Sequence, residues 1–109
     1  MAEDDIVGDD ILNRIRVQVR SGNIRLTQHA QQEMVEEDIA LDEVLEALVQ
    51  CQIIENYPRH SRGACCLISG LTQMKRAIHV VCTTGQSPLI IITVYLPKLP
   101  KWITPTQRR

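Results

Sequence analysis

Apolar residues recur at helical spacing through the first half of the chain and at strand spacing through the second. Ile11, Ile15 and Val19, with Leu12 beside them, occupy one face of a helix; Asp9 or Asp10 predicts its N-cap and Gly22 its end. Thr27 caps a short second helix that runs to about Glu37 and turns Ala30 and Met34 inward. Leu41, Val44, Leu45, Leu48 and Val49 outline a third, with the clearest apolar face of the three. From Gln52 the period shortens. Segments 52–57, 64–69, 76–83 and 89–96 are rich in Ile, Val, Thr and Cys, and Pro58, Gly63, Gly70, Gly85 and Pro88 punctuate them as turns. This order predicts an α+β fold: two or three N-terminal helices packed on one face of a four-stranded antiparallel meander, with the other face partly open. Beyond Pro97, Pro100 and Pro105 argue against a further strand or helix, and Trp102 is expected to fold the tail back onto the domain. Residues 1–104 thus read as one domain and 105–109 as a basic tail.

With 109 residues, 44% of them hydrophobic, the chain is long enough for one buried core and too short for two domains. Its aromatic residues are Tyr57, Tyr95 and Trp102 alone, so the core is aliphatic and a nucleic-acid module driven by base stacking is disfavoured. The apolar runs at 77–83 and 89–96 fall far short of the roughly 20 residues a membrane helix needs. The start, MAEDDIVGDD, is acidic where a secretory leader is basic and then apolar. The expected setting is the cytoplasm, with Cys51, Cys65, Cys66 and Cys82 as reduced thiols and no disulfide.

The net charge of −1 conceals a segregation. All 13 acids lie at or before Glu55, where they meet four bases for a net −9, and the remainder carries eight bases and no acid, a net +8. Two readings follow: the basic half faces a polyanion, or the halves neutralise each other within the fold.

Strand alternation puts His79 on one face with Ala77, Val81 and Thr83, and Thr93 and Tyr95 together on one face of the next strand. Pairing His79 with Thr93, and Ala77 with Tyr95, would gather an imidazole, a hydroxyl and a phenol on one patch; a one-residue slip would disperse them. His29, at the start of the second helix, reads most simply as a solvated first-turn residue, although helix packing would bring it towards His79. Imidazoles and a phenol are the minimal equipment for acid–base chemistry near neutral pH. Metal-ligand spacings such as CxxC or HExxH are missing, as are a phosphate-cradling glycine loop and a serine elbow, so no metal or cofactor is expected. Arg59, His60 and Arg62 make a cationic loop, and Arg76 precedes the His79 strand, where alternation points it to the opposite face unless the strand end twists.

The string LTQHAQQEMVEEDIALDEVLEAL, followed by IIENYP, LISG, KRAIHVV and IIITVYLP with a nearby Trp, resembles a widespread uncharacterised bacterial and cyanobacterial family of the DUF type over about residues 24–104. That family is similar, by distant fold relationship, to the barnase, EndoU, colicin and RelE group of metal-independent ribonucleases, many of them toxins of toxin–antitoxin pairs. The resemblance implies a RelE/barnase-like fold with a site on the sheet formed by His29, His79, Thr93 and Tyr95. Family members usually carry an Arg in an M-x-E-R pattern, where this chain has Glu37.

The expected function is therefore a metal-independent endoribonuclease of toxin type that cleaves RNA through its own 2'-hydroxyl. His79 or His29 would take the proton, and the other His or Tyr95 would protonate the leaving oxygen. Arg76, Arg59, Arg62, Lys75, Lys98 and Lys101 would bind phosphate. RNA rather than DNA, and an antitoxin-like protein, are the expected partners; a membrane is not. The alternative, favoured by Glu37, the near-neutral total charge and the few aromatics, is a catalytically inactive RelE-like binding or regulatory module that docks a protein partner.

Overall fold

The computed structural model describes residues 3–61 and 63–109. Three helices, α1 (Glu3–Arg20), α2 (Gln28–Glu36) and α3 (Leu41–Val49), lie along the first half, with a short strand β1 (Ile24–Leu26) between the first two. Strands β2 (Cys51–Tyr57), β3 (Cys65–Leu71), β4 (Ala77–Thr83) and β5 (Leu89–Tyr95) follow as the meander. The predicted α1 starts too late: Asp10 lies inside the helix and bonds Arg14 one turn on. Its end is where Gly22 puts it. Gly22 adopts φ +71°, and its N–H and that of Asn23 bond the carbonyls of Val19 and Gln18, a Schellman closure that a Cβ would strain.

The sheet corrects the expected architecture. It has five strands in the order β1-β5-β4-β3-β2, and β1 runs parallel to β5, so the sheet is mixed rather than four-stranded and antiparallel. The three residues of β1 are too few to show alternation, and β1 forms only because β5 offers an unpaired edge. The tail is the second correction. Strands β6 (Trp102–Thr104) and β7 (Gln107–Arg108) form a small antiparallel hairpin, with Pro105 in its two-residue turn and Pro100 before it. Both prolines thus sit where no ladder N–H is needed.

All three helices pack on one face. Ile15 of α1, Ala30 and Met34 of α2, and Val44, Ala47 and Leu48 of α3 form a single buried cluster with Cys66, Ile68, Ile78, Val80, Cys82, Ile91 and Val94 of the sheet. Thr27 joins the layers: its hydroxyl accepts from the Ala30 N–H (3.1 Å) and donates to the Ile92 carbonyl (2.8 Å), so one side chain caps α2 and closes the edge of β5 beyond β1. Thr27→Ala is expected to cost about 1–2 kcal/mol in urea unfolding, while Thr27→Ser retains most of that. An unchanged midpoint for the alanine variant would contradict this double role.

Candidate functional site

The far face of the sheet, opposite the helices, holds the polar residues. Register places Gln52, Ser69, His79 and Tyr95 in one row across β2, β3, β4 and β5. His79 therefore pairs with Tyr95, and Thr93 pairs with Val81, two residues away from the expected pairing of His79 with Thr93. A bulge at the Val81/Cys82 step, where Thr93 and Ile91 flank an extra Ile92, supplies one residue of that offset. Because the offset is even, the predicted face survives while the partners change.

That face is closed. The β6–β7 hairpin lies over it, and His79 is 0% exposed. Trp102, itself buried, meets the imidazole edge to face with centroids 4.4 Å apart. His79 Nε2 bonds the Pro105 carbonyl, which can only accept, so the proton sits on Nε2 and Nδ1 accepts from the Tyr95 hydroxyl at 3.0 Å. Burial holds the His79 pKa below its ordinary value, against the pull of the Pro105 carbonyl and Glu55, with Arg108 and Lys101 adding to the depression. Burial likewise raises the Tyr95 phenol, with the Arg108 charge opposing the rise and the Glu55 charge adding to it.

Glu55 and Tyr57, two apart on β2, share this face. Arg108 of β7 clasps Glu55 with two bonds, Nε to Oε2 at 2.7 Å and Nη2 to Oε1 at 2.8 Å, and stacks over Trp102 at 4.8 Å. The Tyr57 hydroxyl donates to the same carboxylate. The Arg108 bond draws the Glu55 pKa down to about 2, and burial together with Glu55 pushes Tyr57 up to about 12. Sequence reasoning passed over Glu55, Tyr57 and Arg108. Their i, i+2 spacing on an edge strand, with an acid facing the sheet interior, was the available signal for the first two; nothing local marks Arg108.

The remaining predicted residues lie elsewhere. His29 sits on α2, in the helical layer, 64% exposed and 3.2 Å from Glu33, so the sheet separates it from His79. Arg76 turns to the helical side, where its guanidinium bonds Glu43 at 3.0 Å and the carbonyls of Asp38 (2.9 Å) and Glu37 (3.0 Å). It thus satisfies the orphan carbonyls at the end of α2 and ties that end to α3. Lys98 reaches Glu37 at 3.7 Å, Lys101 lies 5.8 Å from the Tyr95 ring, Lys75 occupies the β3–β4 turn with φ +67°, and Arg59 is exposed in the β2–β3 loop. Arg62 lies outside the described residues. Of the two readings of the segregated charge, neutralisation within the fold has direct counterparts in Glu37–Lys98, Glu43–Arg76 and Glu55–Arg108.

A cavity of about 320 Å³ beside the polar row is lined by Gln52, Ser69, Pro105 and Thr106 among others and does not reach His79. Among the described residues no group of three or more His, Cys, Asp or Glu side chains is arranged to hold a metal ion. Among the described residues no helix is long and apolar enough to cross a membrane.

Residues 26–96 match the model of a domain of unknown function, DUF4258. The chain belongs to that family. The DUF4258 match contains α2, α3 and β2 to β5, hence Glu55, Tyr57, His79 and Tyr95, and it ends before Trp102, Pro105 and Arg108, which close the site. No curated protein and no solved structure matches the chain.

Proposed function

We propose that this domain is a non-catalytic binding module that docks a protein partner. The observation that carries this reading is the state of His79: buried, neutral, and bonded inside the fold through both ring nitrogens. A general acid or base must reach its substrate within hydrogen-bonding distance, directly or through one water. The strongest phosphate-binding groups near the sheet are also committed, Arg76 to Glu43 and Arg108 to Glu55. Glu37, at the position where the family resemblance expects a cation, supports the same conclusion. Four cysteines, none of them in a disulfide among the described residues, favour a reducing, cytoplasmic setting.

A second reading, RNA cleavage of the toxin type suggested by the resemblance to metal-independent ribonucleases, draws on one observation. His79 and Tyr95 are hydrogen-bonded on the same face as Glu55 and Tyr57, an acid–base set suited to activating a 2'-hydroxyl once the hairpin has left. Under that reading an antitoxin-like protein would cover the opened face. The two part in one experiment: the purified chain is incubated with a fluorescent single-stranded RNA in EDTA, and the chain is expressed in a bacterial host. The binding module leaves the RNA intact and growth unchanged. Cleavage that falls about 10²- to 10⁴-fold in His79→Ala would overturn it in favour of the ribonuclease.

A further inference from the structure

We propose that the seat of the β6–β7 hairpin is the docking surface, and that the partner it fits is a peptide segment presenting an arginine beside an aromatic ring, which takes the hairpin's place. This names the partner chemistry of the binding module proposed above and rests on that reading. Another exposed recess, an apolar groove between α1 and α3 lined by Val19, Leu45, Val49 and Leu71, carries nothing that says what covers it.

The seat selects this chemistry group by group. Glu55 is a planar acceptor fixed by the Tyr57 hydroxyl, and a guanidinium fork satisfies both of its oxygens, as Arg108 does. His79 offers a ring to an aromatic edge and one N–H to a carbonyl; Trp102 and Pro105 meet those two demands. Among the described residues the hairpin is held by these contacts and by Lys101, 5.8 Å from the Tyr95 ring. Its own ladder joins β6 only to β7, and among the described residues no backbone ladder links it to the five-stranded sheet. Exchange therefore breaks side-chain contacts without unzipping a sheet edge. Undocking strips Glu55 of its cation and leaves the Tyr57 hydroxyl as its partner, and an incoming arginine restores the pair. The hairpin competes from within the same chain at an effective concentration on the order of millimolar, so an external segment binds well only when the internal one is weakened.

The test uses the full-length chain and a fluorescein-labelled synthetic peptide of residues 98–109, read by fluorescence anisotropy. Arg108→Ala in the chain is expected to tighten peptide binding at least tenfold over the parent, and adding Glu55→Gln to it should abolish the gain. A peptide with its own Arg108 replaced by Ala should not bind. Trp102 is the sole tryptophan of the chain, so its emission before peptide addition reports the hairpin directly and should shift to the red in Arg108→Ala. Should that variant fold poorly by circular dichroism, Arg108→Lys keeps the charge, loses the fork and should give the same order at smaller amplitude. Equal peptide affinity for parent and variant, indifference to Glu55→Gln, or an unshifted Trp102 emission would each overturn the proposal. RNA cleavage would instead sink the non-catalytic reading, so the two failures are distinct.

Discussion

Gly70→Ala is expected to destabilise the domain by about 3 kcal/mol or more, a large fraction of the 5–15 kcal/mol typical of a domain. Gly70 lies in β3 beneath α3, and a Cβ built there would stand 2.1 Å from the Ala47 carbonyl oxygen and 2.6 Å from its carbon. Both obstacles are backbone, so no side-chain rotation relieves the overlap, and α3 has to move away from the sheet. Ala47 and its neighbours Val44 and Leu48 are fully buried, so lifting the helix opens the core along its length. With urea slopes of about 1–3 kcal/mol per molar, the midpoint should fall by about 1–3 M. Gly85→Ala is the control: no atom lies within 4 Å of its added Cβ, and its midpoint should barely move. Equal midpoints for the two variants would mean that α3 does not approach the sheet as closely as described.

Acidification should weaken the fold through His79. Its pKa in the folded chain lies below the ordinary value of about 6.5, so the unfolded chain takes the proton more readily. Stability from the neutral imidazole is complete above pH 6.5 and declines as pH falls below it towards the folded value. The slope is at most about 1.4 kcal/mol per pH unit for one proton. The groups facing the ring are the Tyr95 hydroxyl from β5, the Pro105 carbonyl of the hairpin turn, Glu55 from β2, and Arg108 and Lys101 from the tail; burial outweighs the two that favour the charge. Glu55 acts separately. Its folded value of about 2 keeps the carboxylate ionised and clasped by Arg108 down to about pH 2, so the stability it adds is complete above the usual 4.5 and declines only as pH falls from there towards 2. Urea melts at pH 7, 6 and 5 should therefore show a decline that His79→Gln flattens, read as the change with pH rather than the absolute stability. A parent chain equally stable at pH 7 and 5 would mean that the imidazole is not held neutral by the hairpin.

How far the sequence revealed this fold depends on the range of the signal. The helical faces of α2 and α3 and the apolar alternation of β2 to β5 are local, and their placement follows from spacing. The strand β1 and the β6–β7 hairpin are not local features. Three residues against a distant edge, or two short strands joined through a proline turn, carry no period that a reader of the chain can detect. The site follows the same division. The face occupied by His79 is a matter of parity, but its partner depends on the register of β4 against β5, bulge included, and its closure depends on Trp102 and Arg108 arriving from the far end. Alternation gives Arg76 its face, but not its partners: nothing next to it in the chain marks the carbonyls of Asp38 and Glu37 that it serves.

The pairs Glu37–Lys98, Glu43–Arg76 and Glu55–Arg108 each join the acidic half of the chain to the basic half. Before folding, the same chain is a −9 block tied to a +8 block, a diblock polyampholyte whose ends attract over a distance set by the salt concentration. In dilute buffer the denatured ensemble is thereby contracted along the axis that brings the tail towards the helices, and added salt releases it. The starting point of folding is thus itself tuned by ionic strength, independently of any contact made in the finished structure.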